Sequence, residues 1–296
     1  DVTREELDGL PESYIERLSP GEAEGTYRVS LDYPEVNPYL EQATHRSRRR
    51  ELFGKHWSRA VATNRPLLEE ALEVRRRIAE LVGAPSWAHH AMEVKMARDP
   101  GRVAAFYDGL VPAVRATVPE ELARLAARLR DEGHDGPIQP WDWRFYDDQL
   151  RRTEYGVDTD RVSEYFPLDR VIDGMFELTA EVFGLEYRLV EETQAWHPSV
   201  LLYEILDRQT GASLAHFYAD LHPRDGKFNH AAAFPLVVGH RAADGSSVQP
   251  VSAILANFTP ASADRPSLLR HTEVETLFHE FGHILHMSLT RAEFAR

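Results

Sequence analysis

Two histidines four residues apart, His279 and His283, place the strongest constraint on how this chain can fold. Residues at i and i+4 lie one turn apart on one face of an α-helix. Two imidazoles so placed can share one zinc ion at about 2.0–2.1 Å. Glu280 follows the first histidine directly, so it projects beside such a metal rather than onto it. There it can hydrogen-bond a water and take its proton. This is the division of labour of H-E-x-x-H zinc sites, in which the water attacks a peptide carbonyl and the proton passes to the leaving amine. Phe278, Phe281 and Leu285, at i, i+3 and i+7, supply an apolar face to bury the helix. Gly282 stands mid-helix, where Gly costs about 1 kcal/mol against Ala, and that cost predicts close packing against another element. A surface helix with solvated His and Glu is the alternative.

Two neighbours need separate readings. His286 lies on the same stripe but reads as an ordinary helix-face histidine, because three ligands from one straight helix wrap a tetrahedral metal poorly. Glu275, one turn before His279, is either a carboxylate that orients an imidazole or a first-turn Glu favoured by the helix dipole.

Helical patterns dominate the chain. Thr3 to Leu18 reads as a short helix, with Thr3 as N-cap and Glu6 three residues on. Tyr27 to Asp32 alternates like a strand, and Asn37 to Val61 is charged and amphipathic. Pro66 is expected to open a helix through Val82, with apolar positions at Leu68, Ala71, Leu72, Val74, Ile78, Ala79 and Leu81 and a stop at Gly83. Helices are expected over Ser86 to Lys95, from Asp99-Pro100 to about Arg130, over Trp143 to Tyr155 and over Leu168 to Phe183. The loop 131–137 is the best candidate subdomain boundary. Beyond Trp196 the texture changes to strands: Val200 to Leu206, Ala215 to Leu221, Asn229 to Val238 and Val248 to Phe258. A final helix is expected from Ser267 or Thr272 onward. The fold class is therefore mainly α with a small sheet before the helix that carries the histidines.

Composition removes several alternatives. The net charge of −14 argues against a nucleic-acid-binding surface. No run of about 20 apolar residues occurs, so no membrane span is expected. The absence of cysteine excludes disulfides and thiolate metal sites, and fits a cytoplasmic protein. The N-terminus, Asp1-Val2-Thr3-Arg4-Glu5-Glu6, has neither an initiator Met nor a signal-peptide pattern, and leads us to expect a preceding segment.

Several segments, in order, resemble one family: the thimet oligopeptidase, oligopeptidase A and peptidyl-dipeptidase family of zinc metallopeptidases. They are Leu7 to Glu12, Pro140-Trp141-Asp142, Gly174-Met175-Phe176, Phe217 to Lys227, His230 to Phe234, Ala253 to Thr259, Pro266 to Leu269 and Glu273 to His286. The resemblance covers essentially the whole chain. It implies a large, mostly helical metallopeptidase fold with a deep channel and a small β-sheet beside the zinc helix. It also implies one Zn(2+) per site and cleavage of short peptides. An edge strand is expected to hold the substrate backbone, with His230, Ala231, Ala232 and Ala233 as the candidate. Many family members carry a Cys in that strand; here the run is all Ala.

The resemblance implies a third zinc ligand, a Glu on the next helix roughly two dozen residues past the second His, whereas the chain ends 13 residues after His283. The chain is thus expected to be a truncated fragment: residues 1–36 a lead-in of an N-terminal helical region, and 37–296 the first part of the catalytic domain. Alone it is expected to bind zinc weakly and hydrolyse little; the intact protein is expected to be a monomeric metalloendopeptidase. The alternatives are a peptidyl-dipeptidase, toward which the opening segment leans, and a peptide-binding protein without catalysis, which has no need of Glu280.

Overall fold

The computed structural model describes residues 1–191, 194–262 and 265–292. Just under half of the chain is α-helical, and the rest includes three small sheets. It folds as two compact units: Asp1–Leu31 with Glu35–Leu150, and Asp32–Pro34 with Arg151–Arg296. The division falls later than the loop 131–137. No helix among the described residues is long and apolar enough to cross a membrane.

The first unit opens with strand β1 (Val2–Thr3), helix α1 (Glu12–Ile15), and strands β2 (Ser19–Pro20) and β3 (Thr26–Arg28), β3 lying between β1 and β2. The reciprocal cap read at Thr3 and Glu6 is present: the Thr3 amide donates to Glu6 Oε2 (2.9 Å) and the Glu6 amide to Thr3 Oγ1 (3.4 Å). What it caps is a single 3₁₀ turn, Glu5–Leu7, and not a helix to Leu18. Gly9, at φ +89°, and Pro11 break the chain before α1. Helices α2 (Tyr33–Gln42, whose first two residues belong to the second unit), α3 (Arg46–Trp57), α4 (Val61–Leu81), α5 (Trp87–Met92), α6 (Pro100–Asp131) and α7 (Trp143–Glu154, in the first unit as far as Leu150) follow. Asp142 of the Pro-Trp-Asp segment is fully buried and takes two hydrogen bonds from Arg46, at 2.8 and 2.7 Å.

Helix α4 begins at Val61, so Pro66 lies inside it, where it removes an amide donor without ending the helix. Of its apolar positions only Ala79 is buried, while Leu67, Leu68, Leu72, Val74 and Leu81 are exposed. The long helix from Asp99 runs on through Pro112 and Pro119, and Asp99 caps its start through the amides of Gly101 and Arg102.

The second unit contains helices α8 (Thr159–Ser163) and α9 (Leu168–Phe183) and then strands β4 (Leu185–Leu189), β5 (Leu201–Asp207), β6 (Ser213–Asp220) and β7 (Ala232–Val237). A two-residue ribbon, β8 (His240–Arg241) with β9 (Ser247–Val248), precedes β10 (Val251–Leu255) and helix α10 (His271–Leu289). The main sheet runs in the order β4-β5-β6-β10-β7. β10 lies parallel to β6 and antiparallel to β7, so the sheet is mixed and β7 is its edge. Pro235 within β7 is tolerated there because an edge strand needs only one side of its backbone paired. Helix α10 crosses β6, β10 and β7. Phe217, Ile254, Leu277, Phe281 and Ile284 meet in one core with Met175 of α9.

Candidate active site

Helix α10 is capped at its start by Glu273, which accepts a hydrogen bond from the Arg270 amide at 2.8 Å. Leu277, Phe281, Ile284, Leu285 and Ser288 form its buried stripe. Two expectations are corrected here. Phe278 does not join that stripe but is 37% exposed, since a residue at 278 points about 100° away from Leu277. Gly282 packs against nothing: a Cβ added there meets open space. It lies on the side of the helix that also carries His279 and His283, both exposed.

The two imidazoles stand edge to face, with ring centroids 4.9 Å apart. Glu280 is half-buried at the margin between the two faces, and His286 is exposed. Glu275 is exposed, and its Oε2 lies 3.7 Å from His271 Nδ1, one turn back. The donor set suits zinc, which imidazole nitrogens bind readily. Among the described residues no three His, Cys, Asp or Glu side chains converge on a single metal position. His279 and His283 therefore fit zinc as a two-nitrogen part of a site, and the expected third ligand beyond Arg296 lies outside the described residues.

Ala232 and Ala233 lie in β7, opposite Leu255 and Ile254 of β10. Ala231 and Ala233 pack against the core beneath α10. His230, at the end of the preceding loop, is exposed; its ring lies edge-on to Tyr33 at 5.2 Å, with Tyr33 Oη 3.3 Å from Nδ1. The candidate strand is thus an edge strand beside the helix that carries the histidines.

A polar knot at the C-terminal end of β6 escaped the sequence reading. Asp220, fully buried, accepts two hydrogen bonds from Arg224 (2.6 and 2.8 Å), one from Trp196 Nε1 (2.9 Å), and an ion pair from Lys227 (2.9 Å). Burial pulls the Asp220 carboxyl upward, but the Arg224, Lys227 and Trp196 contacts outweigh it and hold the group well below the usual carboxylate range. Burial pulls the Lys227 ammonium down, against the pull of Asp220. The ammonium also donates to the carbonyls of Asp220 (2.9 Å), His222 (2.7 Å) and Ala256 (2.6 Å). The signal that could have found the knot is a carboxylate ending a buried strand with cations four and seven residues on. Between them Gly226 takes φ +73°, which the turn requires.

Asp220→Asn is expected to lower stability at pH 7 by about 3–5 kcal/mol, the cost of breaking a buried ion pair. Because the folded-state pKa is depressed, the carboxylate's contribution is present above the unfolded value of about 3.9 and fades as pH falls through the folded value. Denaturant unfolding across pH should show the gap between parent and variant narrowing below about pH 4; a gap independent of pH would contradict the role of the charge.

The chain belongs to peptidase family M3, whose model matches residues 39–296. It is 34% identical to a thimet-like oligopeptidase of Dictyostelium discoideum over 98% of this chain and 45% of that protein. It is 32% identical to oligopeptidase A of Salmonella typhimurium, over 98% of this chain and 44% of the relative. A dipeptidyl carboxypeptidase of Escherichia coli is 32% identical over 87% of this chain and 38% of its own length. The chain thus spans less than half the length of these relatives.

Proposed function

We propose that this chain carries part of the active site of a zinc peptidase acting on short peptides. His279 and His283 are its zinc ligands, Glu280 its general base, and β7 with His230 its substrate-backbone strand. The observation that carries the reading is the division of α10: one stripe is fixed in the core, and both imidazoles stand together on the open side with Glu280 beside them. Family membership and the relatives' names, oligopeptidase and dipeptidyl carboxypeptidase, support the reaction class.

Zinc bound by the imidazoles would supply Lewis acidity, lowering the pKa of a water toward about 7. The Glu280 carboxylate takes the proton from the attacking water and delivers it to the nitrogen of the leaving amine. His279 and His283 donate neutral imidazole nitrogens, and the buried stripe beneath them fixes their spacing. The free edge of β7 offers amides and carbonyls to an extended peptide, and the small Ala232 and Ala233 side chains leave its backbone open to approach. This reading carries with it a monomer resident in the cytoplasm. Release of C-terminal dipeptides is the second reading, favoured by the dipeptidyl carboxypeptidase relative.

The test is metal removal from the intact protein. Treatment with a zinc chelator is expected to abolish hydrolysis of a short internally quenched peptide, and added Zn(2+), at about one ion per chain, to restore it. Chelator-insensitive hydrolysis would sink the assignment.

A further inference from the structure

The loop 221–231 joins β6 to the edge strand, and two side chains tie it down at separate points. The Lys227 side chain is 2% exposed. Its ammonium gathers the carbonyls ending β6 (Asp220), opening the loop (His222) and following β10 (Ala256), with the Asp220 carboxylate as a fourth oxygen. Three N–H donors thus meet four acceptors drawn from two stretches of chain, 220–222 and Ala256. Further on, Asn257 Nδ2 donates to the Phe228 carbonyl at 3.1 Å and the His230 carbonyl at 3.5 Å. Ala232 begins two residues later, paired with Leu255.

A buried ion pair is a poor device for stability alone, since well-packed apolar side chains of equal volume commonly serve as well or better. What it supplies here is directional hold on particular backbone oxygens. Both anchors act on the segment that sets where β7 starts against β10. A slip of one residue in that register would turn every β7 side chain to the other face.

We propose that Lys227 and Asn257 are positioning residues for peptide binding: by fixing the loop 221–231 they set the height and register of β7, the strand that takes the substrate backbone. The inference rests on the assignment of β7 given above. Neither residue touches the reacting bond, so both act on binding rather than on the proton transfer. The ligand is an extended peptide recognised through its main chain, and loss of either anchor weakens all such peptides alike, whatever their side chains.

The test compares the intact protein with Asn257→Asp and Lys227→Met. Asn257→Asp keeps the shape, but replaces the donor with a carboxylate oxygen facing the Phe228 and His230 carbonyls, at a half-buried position. With two unrelated quenched peptides, KM is expected to rise about tenfold for Asn257→Asp, roughly the worth of one hydrogen bond. It should rise further for Lys227→Met, with kcat within about twofold in both. Dissociation constants of labelled peptides, read by fluorescence anisotropy on Glu280→Gln protein with and without Asn257→Asp, should move by the same factor. KM and Kd unchanged while the melting temperature falls would overturn the inference, since a purely structural knot predicts that outcome. So would a loss confined to kcat. Failure of the zinc-peptidase reading is separately visible, because it would appear in the unsubstituted protein as chelator-insensitive or absent hydrolysis.

Discussion

Glu280→Gln in the intact protein is expected to cut kcat by about 10²–10⁴-fold while leaving KM and zinc content near those of the parent. The range is that of a positioned general acid–base group. Gln keeps the volume and a hydrogen-bonding oxygen but cannot hold a proton at the pH of the assay, so the loss should fall on the chemical step alone. The substitution is well placed for such a test: Glu280 sits at the margin of the buried stripe of α10 and carries none of its core packing, which comes from Leu277, Phe281 and Ile284. Stopped-flow or steady-state hydrolysis of a quenched peptide, with zinc measured on the same sample, separates the outcomes. Full activity with zinc retained would remove Glu280 as the base. It would return the helix to the peptide-binding reading.

His283→Ala is expected to weaken zinc binding by more than about 100-fold, beyond the cost of losing a mere outer hydrogen-bond partner of a ligand, and to abolish hydrolysis. The same change should move folding stability by no more than about 0.5 kcal/mol. His283 is exposed on the open side of α10, and Ala is the better helix former. Competition with a chromophoric chelator gives the affinity, and thermal unfolding without metal gives the stability. Intact zinc affinity in a folded variant would dismiss His283 as a ligand. A large loss of stability in the metal-free protein would mean that the imidazole holds the helix rather than an ion.

Legibility in the sequence followed the range of the interactions involved. Helix α9 matched its expected bounds, Leu168 and Phe183, because its buried positions Leu168, Val171 and Met175 repeat at helical spacing and Gly184, at φ +67°, ends it. Strands β5 and β6 were legible for a similarly local reason: short apolar runs flank a turn in which Asp207 accepts hydrogen bonds from the Gln209 and Thr210 amides. Strand β4 was not, since Leu185–Leu189 follows a helix directly and is a strand only through its pairing with β5. Pro66 misled because the first turn of α4 precedes it. On α10, the spacing of His279, Glu280 and His283 was legible because it is local, while the open surroundings of Gly282 were not. The Asp220–Lys227 knot needed the Ala256 carbonyl, 29 residues past Lys227, so no window of sequence contained it.

The strand order carries a consequence for how the chain is made. In β4-β5-β6-β10-β7 the edge strand pairs only with β10, which follows it in sequence by 14 residues, from Val237 to Val251. On a ribosome, domains form from the N-terminal end as residues emerge. The β4–β5–β6 meander can assemble at once, but β7 emerges with no strand to join, and Lys227 emerges before one of its three carbonyls exists. The loop 221–231 and β7 must therefore wait for their pairing until β10 slots in beside β6. That interval is when this chain is most open to wrong pairing between nascent copies, and when a chaperone holding extended apolar segments has most to protect.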